Sequence, residues 1–338
     1  MTSIPFGLRP ERGDPGAVDD LVATGAAERI GLAGVLAAPG RRAWPACTRG
    51  RAAVLGFRWD LRDTFDGSWW PQGIDVGEHD GRRVLAVSWY ARPVRGVDRG
   101  VRVTFADLRH PRRPRYHHVL LMEPARDPEG AVRLEPVVVH AGGIGWSGGT
   151  LLVADTFGGV RTFALEDLLR VPAAPFGYAH VLPQRSRWRA DHTGAGRGRR
   201  LRMSFLSLER GEGLRLVAGE YGNTGTTDRL IRLTLDAGGA LVTGPSGVSA
   251  PLDVHEPGLR RMQGVCVVDG TWFLTTSNGE RRRGDLWAGV PGDLRRHRAV
   301  LPPGPEDLAV DPVTGMLWSL SEWPGRRRVF QIDPARWR

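Results

Sequence analysis

The sequence predicts an all-β fold, a five-bladed β-propeller carrying a short helical N-terminal extension. Three observations predict it. A hairpin of one design recurs five times, the apolar runs from Ala52 onward are short and broken by Gly, Asp-Gly and Pro, and a further strand follows each hairpin. Such sheets bury their faces by stacking on one another around a central channel.

The elements follow in chain order. In "GDPGAVDDLVATGAAERIGLAGVLAAPG" Asp14 and Pro15 stand as N-cap and first helical residue, and apolar positions at helical spacing continue until Gly and Pro stop them. Residues 1–50 are therefore read as a partly helical extension and 51–338 as one propeller domain. The strand "AAVLGFRWDL", Ala52 to Leu61, is expected to close the ring beside "RRVFQIDP". The five hairpins span Trp70 to Tyr90, His140 to Phe157, Leu201 to Gly222, Arg261 to Gly279 and Gly304 to Gly325. Their third strands are "GVRVTFADL", "GVRTFALEDL", "RLIRLTLD", "GDLWAGV" and "RRVFQID". "YHHVLLMEP" and "GYAHVLPQ" read as fourth, outer strands of the first two blades; six blades would need another hairpin within 116–139 or 176–184.

Composition narrows the function. With 338 residues and 41% hydrophobic content the chain is long enough for a substantial core. The net charge is +10, yet all 47 basic residues are Arg, as codon bias in a GC-rich genome produces. The arginines are scattered, with small clusters at 199–202, 281–283 and 326–328, and no nucleic-acid motif accompanies them, so nucleic acid is not an expected partner. Without lysine there is no Schiff-base or pyridoxal-phosphate chemistry, no P-loop clamp and no kinase-type Lys-Glu pair. Cys47 and Cys266 form no zinc or redox motif and are expected to be free thiols. No apolar run reaches membrane-spanning length and no export signal opens the chain, so a cytoplasmic monomer without membrane contact is expected, or a secreted one if a signal peptide has been removed.

Each hairpin begins and ends on a polar residue: Gln72 and Ser88, His140 and Asp155, Ser204 and Glu220, Gln263 and Ser277, Glu306 and Glu322. In a propeller the first strand of a blade lies on the axis and the second returns to the same face, so these residues would rim one funnel. Capping of strand ends is the bland alternative for any one of them. Carboxylates crowded there would push one another's pKa values apart and leave one base and one acid. His140, Glu220 and Glu306 are the candidates for proton transfer, with Asp155 joining them as a catalytic or tuning carboxylate. Glu322 would tune them, while Gln72, Gln263 and Ser277 would contact substrate. Trp70, Tyr90, Tyr221 and Trp323 flank the rim, where rings could stack on a sugar or fill the wedge between blades. Glu306 and His140 could alternatively hold a divalent cation such as calcium. The function expected is acid-base or cation-assisted chemistry, of hydrolase, lyase or cyclase type, on a small polar molecule such as a glycoside or secondary metabolite. The alternative is a non-catalytic propeller that binds a glycan or a protein. "GWSGG", Gly145 to Gly149, fits the nucleophile-elbow pattern, but a strand follows it where that motif needs a helix, so Ser147 is a turn residue.

The segments "WPQG", "GVRVTF", "HAGGIGW", "LLVADTFGGVR", "MQGV" and "GPEDL" resemble a group of actinobacterial proteins, often secreted, over about Trp70 to Glu322. That resemblance implies no activity. "GPEDLAVD" is similar to an inner strand of gluconolactonase-like and strictosidine-synthase-like propellers, which implies a cation-binding role for Glu306. Five blades would resemble arabinanase-like glycosidases, whose three essential carboxylates come from different blades; the likeness implies base, modulator and acid roles for Asp155, Glu220 and Glu306.

Overall fold

Alternating apolar residues and tight Gly turns fold the chain into successive antiparallel hairpins. The computed structural model describes residues 6–191 and 200–338. Arg199, the first of the arginine cluster at 199–202, lies outside the described residues. The first sheet comprises Trp69–His79, Arg82–Ala91, Val101–Asp107 and Arg115–Arg126. The second comprises Ile144–Ser147, Thr150–Asp155, Gly159–Ala164 and His180–Asp191. Their outer strands are stitched together by parallel pairing of Val181–Pro183 with Leu120–Met122. The third holds Phe205–Gly211, Gly213–Gly219, Leu230–Leu235 and Asp253–His255. The fourth holds Met262–Val268, Thr271–Thr276, Asp285–Val290 and Asp293–His297. In the last sheet Pro305–Val310, Leu317–Ser321 and Val329–Ile332 are joined by Ala53–Arg58, which runs antiparallel to Val329–Ile332.

The first strand of each sheet packs on the first strand of the next, and Pro305–Val310 packs back on Trp69–His79, so the ring is closed. The fold is all-β and of propeller type. Each neighbouring pair of sheets encloses its own apolar core. Trp59, Trp69, Trp89 and Trp318 fill the wedge between the last and first sheets, and Phe105, Trp146 and Phe163 fill that between the first and second. Similar cores around Leu206 and Leu233, Phe205 and Leu274, and Phe273 and Phe330 complete the circle.

Glycine sets how closely the inner strands approach. A Cβ on Gly73 would lie 2.5 Å from the Ile144 amide nitrogen, one on Gly143 2.2 Å from that of Leu206, and one on Gly264 2.5 Å from the Asp307 Cα. Gly73 and Gly264, each directly after a polar mark, and Gly143, three residues past one, are thus backbone-contact requirements of the ring.

The first 50 residues depart from a single helical run. Two short helices, Ala17–Ala23 and Gly31–Ala37, are separated by Glu28–Arg29, which pairs with Leu169–Arg170. Asp14 accepts from the Gly16 amide at 3.0 Å, while Gly16 is the N-cap. Gly7–Arg12 pairs with His180–Asp191, Arg41–Arg42 with Arg115–Tyr116, and Trp44–Pro45 with Phe57–Arg58. Val132–Pro136 returns along Met122–Arg126, adding to the outer strand of the first sheet. Cys47 is exposed, Cys266 is buried, and both are free. No helix among the described residues is long and apolar enough to cross a membrane.

Candidate functional site

At one end of the ring the strand termini converge on a cavity of about 370 Å³. Gln72, His140, Ser204, Gln263 and Glu322 of the hairpin register line it, together with Tyr90 and Tyr221 that flank the register. They come from every sheet but rest on different supports.

The floor is built by the last hairpin. Glu306 opens its first strand and Glu322 follows its second, and antiparallel pairing of Pro305 with Ser321 brings the two side chains together. Their carboxyl groups hydrogen-bond to each other. Gln263 Nε2 donates to Glu306 Oε1 at 3.1 Å, and Gln72 Nε2 donates to Glu322 Oε2 at 3.3 Å and to the Pro71 carbonyl at 2.9 Å. Burial pushes the Glu306 pKa well above the usual carboxylate range, and the charge of Glu322 pushes it further. Burial also raises Glu322, opposed by the hydrogen bonds from Gln72 and Glu306 and by the positive charge of Arg92. Two carboxyls in contact cannot both ionise freely, so the pair holds a proton, and Glu306 is its keeper. Glu306 is 2% exposed and lies beneath the cavity wall, whereas half-buried Glu322 reaches the cavity.

The second hairpin supplies the opposite chemistry. The His140 ring lies 4.5 Å from that of Tyr90, and its Nδ1 is 3.0 Å from Thr156 Oγ1, which donates to the His140 carbonyl. The imidazole is solvent-accessible yet set in a concave wall. Desolvation there, aided by the charge of Arg92, holds its pKa below the usual value, so at neutral pH it is an uncharged proton acceptor. Burial keeps the Tyr90 and Tyr221 phenols protonated as hydrogen-bond donors.

The other candidates sit elsewhere. Glu220 is fully buried and clamped by Arg229, whose Nε and Nη2 donate at 2.9 and 2.7 Å, and by the Arg202 and Arg229 amides at 3.0 and 3.1 Å. These bonds outweigh desolvation and lower its pKa, so it is a fixed anion that positions Arg202 on the cavity wall. Asp155 turns away to accept from the Gly158 amide at 2.9 Å and from Arg161 Nε at 3.2 Å, and it lines a separate small cavity with Arg187 and Arg189. Both residues expected to transfer protons are thus ion-paired to arginine and absent from the cavity lining. Trp70 does not face the cavity. Its Nε1 donates to Gly67, the Arg92 guanidinium lies 3.6 Å from its ring centre, and Trp323 meets it edge-on at 5.2 Å. The two indoles are wedge fillers that prop Arg92 near Glu322. Ser277 Oγ accepts from the Gly279 amide within its own turn.

The register did not single out Thr156, Asn223 or Thr226, which also line the cavity. Thr156 stands one residue past the polar mark of its hairpin. Asn223 and Thr226 form the hydrogen-bonded turn after Tyr221, and the polar, Gly-rich "NTGTT" was the available signal.

Both residues expected as cation ligands have partners within the protein. Glu306 is engaged by Gln263 and Glu322, and His140 by Thr156 and Tyr90. Among the described residues no group of three or more His, Cys, Asp or Glu side chains is arranged to hold a metal.

No protein-family model and no curated protein sequence matches the chain, and so none supports the resemblance to the actinobacterial group. Solved structures similar to it include glycoside hydrolases. One is the GH43_1 enzyme from Xanthomonas citri, with 10% identity, TM-score 0.37, and 94% of this chain and 92% of that one covered. RS223-β-xylosidase gives 10% identity, TM-score 0.38 and coverages of 79% and 93%. CoXyl43, a β-xylosidase/α-arabinofuranosidase from a compost microbial metagenome solved with xylotriose in a calcium-free form, gives 11% identity, TM-score 0.37 and coverages of 84% and 94%.

Proposed function

We propose that the ring is a five-bladed propeller and that its central funnel hydrolyses a small, hydroxyl-rich molecule of the glycoside class. The observation that carries this reading is the carboxyl pair at the cavity floor, held by two glutamines and with Glu306 kept protonated by burial. A carboxyl whose pKa burial raises can serve as a general acid, and an imidazole whose pKa desolvation lowers can serve as a general base.

Glu322 and His140 line one cavity from different sheets. Glu322, supplied with a proton by Glu306, gives it to the leaving oxygen as the bond from that oxygen to carbon breaks. His140 takes a proton from the attacking water as its oxygen bonds to the same carbon. The two transfers balance, and the proton returns from His140 to the carboxyl pair through solvent. Gln72 and Gln263 position the carboxyls, and Tyr90 and Tyr221 offer hydroxyls and ring faces to the substrate. The account needs no cation.

Turnover of a panel of nitrophenyl glycosides tests this. Hydrolysis that disappears in Glu322→Gln while sugar binding persists supports it, and wild-type turnover by that variant overturns it. A second reading, a glycan-binding propeller without catalysis, is favoured by the arginine locks on Glu220 and Asp155, which leave a single carboxyl site. Sugar binding without turnover of any glycoside in the panel would select it.

A further inference from the structure

On the outer wall, between the last sheet and the first, lies a groove of about 960 Å³, far from the cavity just described in chain and in sheet position. Two segments make it. "RRAWP" at 41–45 pairs with both outer strands, Arg41–Arg42 with Arg115–Tyr116 of the first sheet and Trp44–Pro45 with Phe57–Arg58 of the last. "HPRRPR" at 110–115 forms the facing wall, closed by a turn in which the Arg113 amide donates to the His110 carbonyl at 2.8 Å and fixed to the first segment by Ala43 N to Pro114 O at 3.0 Å.

Arg42 and Arg115 stand directly opposite each other in an antiparallel pair. Like charges in that register repel and cost stability. Arg112 and Arg113 follow on the same wall, and all four are exposed. Elsewhere on this arginine-rich surface acids answer the guanidiniums, as Glu11 answers Arg187 and Asp253 answers Arg232. Here the one lining acid, Asp107, is taken by Arg109 at 2.7 Å. Among the described residues no carboxylate forms an ion pair with Arg42, Arg112, Arg113 or Arg115. Four guanidiniums without an ion pair among the described residues, one of them, Arg115, opposite Asp107 on its other side, therefore surround the half-exposed indole of Trp44, on a strip with Pro45 and Leu55.

We propose that this groove binds an acidic polysaccharide, a chain of uronate residues, with arginine forks on its carboxylates and Trp44 under a sugar ring. A planar guanidinium matches a carboxylate with two parallel hydrogen bonds. Sites for single-stranded nucleic acid stack successive bases on several aromatic rings, whereas among the described residues this groove offers Trp44 as its only indole or phenyl platform. The inference stands on the groove alone and is independent of the chemistry in the funnel.

The test is equilibrium binding of the intact protein to polygalacturonate oligomers, neutral xylan oligomers and polyuridylate, for wild type, the double variant Arg42→Gln/Arg115→Gln and Trp44→Ala. The expected result is binding to the polyuronate that weakens with salt, no binding to xylan, and a loss of about tenfold or more in each variant, from charge-assisted contacts in the double variant and from ring stacking in Trp44→Ala. The double variant should melt no lower than wild type, because it removes a repulsive pair; that readout separates a lost site from a lost fold. Polyuridylate binding as tight as polyuronate binding would overturn the polysaccharide assignment, and absent or variant-insensitive polyuronate binding would overturn the site.

Discussion

Glu306 and Glu322, the first and last polar residues of one hairpin, hold their carboxyl groups in a mutual hydrogen bond at the floor of the funnel, Glu306 beneath the wall and Glu322 reaching the cavity. The pair has consequences for stability as well as chemistry. Because the folded pKa of Glu306 is raised, the native state holds a proton that the unfolded chain releases near 4.5. Its contribution to stability is fully present below that value and is lost as pH rises toward the folded pKa. Glu306→Gln keeps the shape and removes the proton, so its unfolding free energy should vary less between pH 5 and 8 than that of wild type. Denaturant melts across that range check it; parallel pH profiles would show that Glu306 is not protonated in the fold.

His140 sets the acid limb of activity. Its pKa is held below 6.5, so turnover should rise as pH increases through a midpoint below that value and should fall again as the carboxyl pair loses its shared proton. His140→Gln should lower kcat by about a hundredfold or more, the usual scale for a general base, and abolish the acid limb while leaving binding intact. A pH-rate profile of both proteins decides; an acid limb that survives the substitution assigns it to another group.

Glu220 matters for the fold. Removing it strands Arg229, whose side chain is 5% exposed, as a buried charge with one partner lost. Glu220→Ala should cost about 3–5 kcal/mol of stability, and Arg229→Ala a similar amount. Urea denaturation measures both. A stable variant with selectively abolished turnover would restore a chemical role to Glu220.

Close approach of the inner strands is tested at Gly73. Gly73→Ala places a methyl group 2.5 Å from the backbone of Gly143 and Ile144, and backbone cannot yield as a side chain does. Destabilisation of about 1–3 kcal/mol is expected, against little change for Ala at Gly67, where a Cβ meets nothing within 4 Å. Thermal melts of the two variants check the contrast.

Much of this architecture was legible because period-two alternation, Gly turns and a repeated register are local signals. Polar marks and nearby glycines reported the ring directly, and five of the residues so marked line one cavity. Partners distant in sequence were not legible. Nothing in "GEYG" says that Arg229 will close on Glu220, or that Asp155 will fold onto its own turn and leave the wall to Thr156. The spacing of Glu306 and Glu322 suggested two roles but not which carboxyl lies deeper, and the structure reverses them: the residue expected to tune is the one that reaches the cavity. The helical extension divided because Glu28–Arg29 finds a strand 140 residues on at Leu169–Arg170, a long-range pairing that overrides local helical spacing.

The most direct measurement is a carbon-13 NMR titration of the glutamate side-chain carboxyls, assigned with Glu306→Gln and Glu322→Gln. A Glu306 carboxyl that stays protonated well above pH 4.5 and titrates together with Glu322 is the result predicted here. Two carboxyls that titrate independently near 4.5 would contradict the shared proton, and with it the general acid on which the proposed hydrolysis depends.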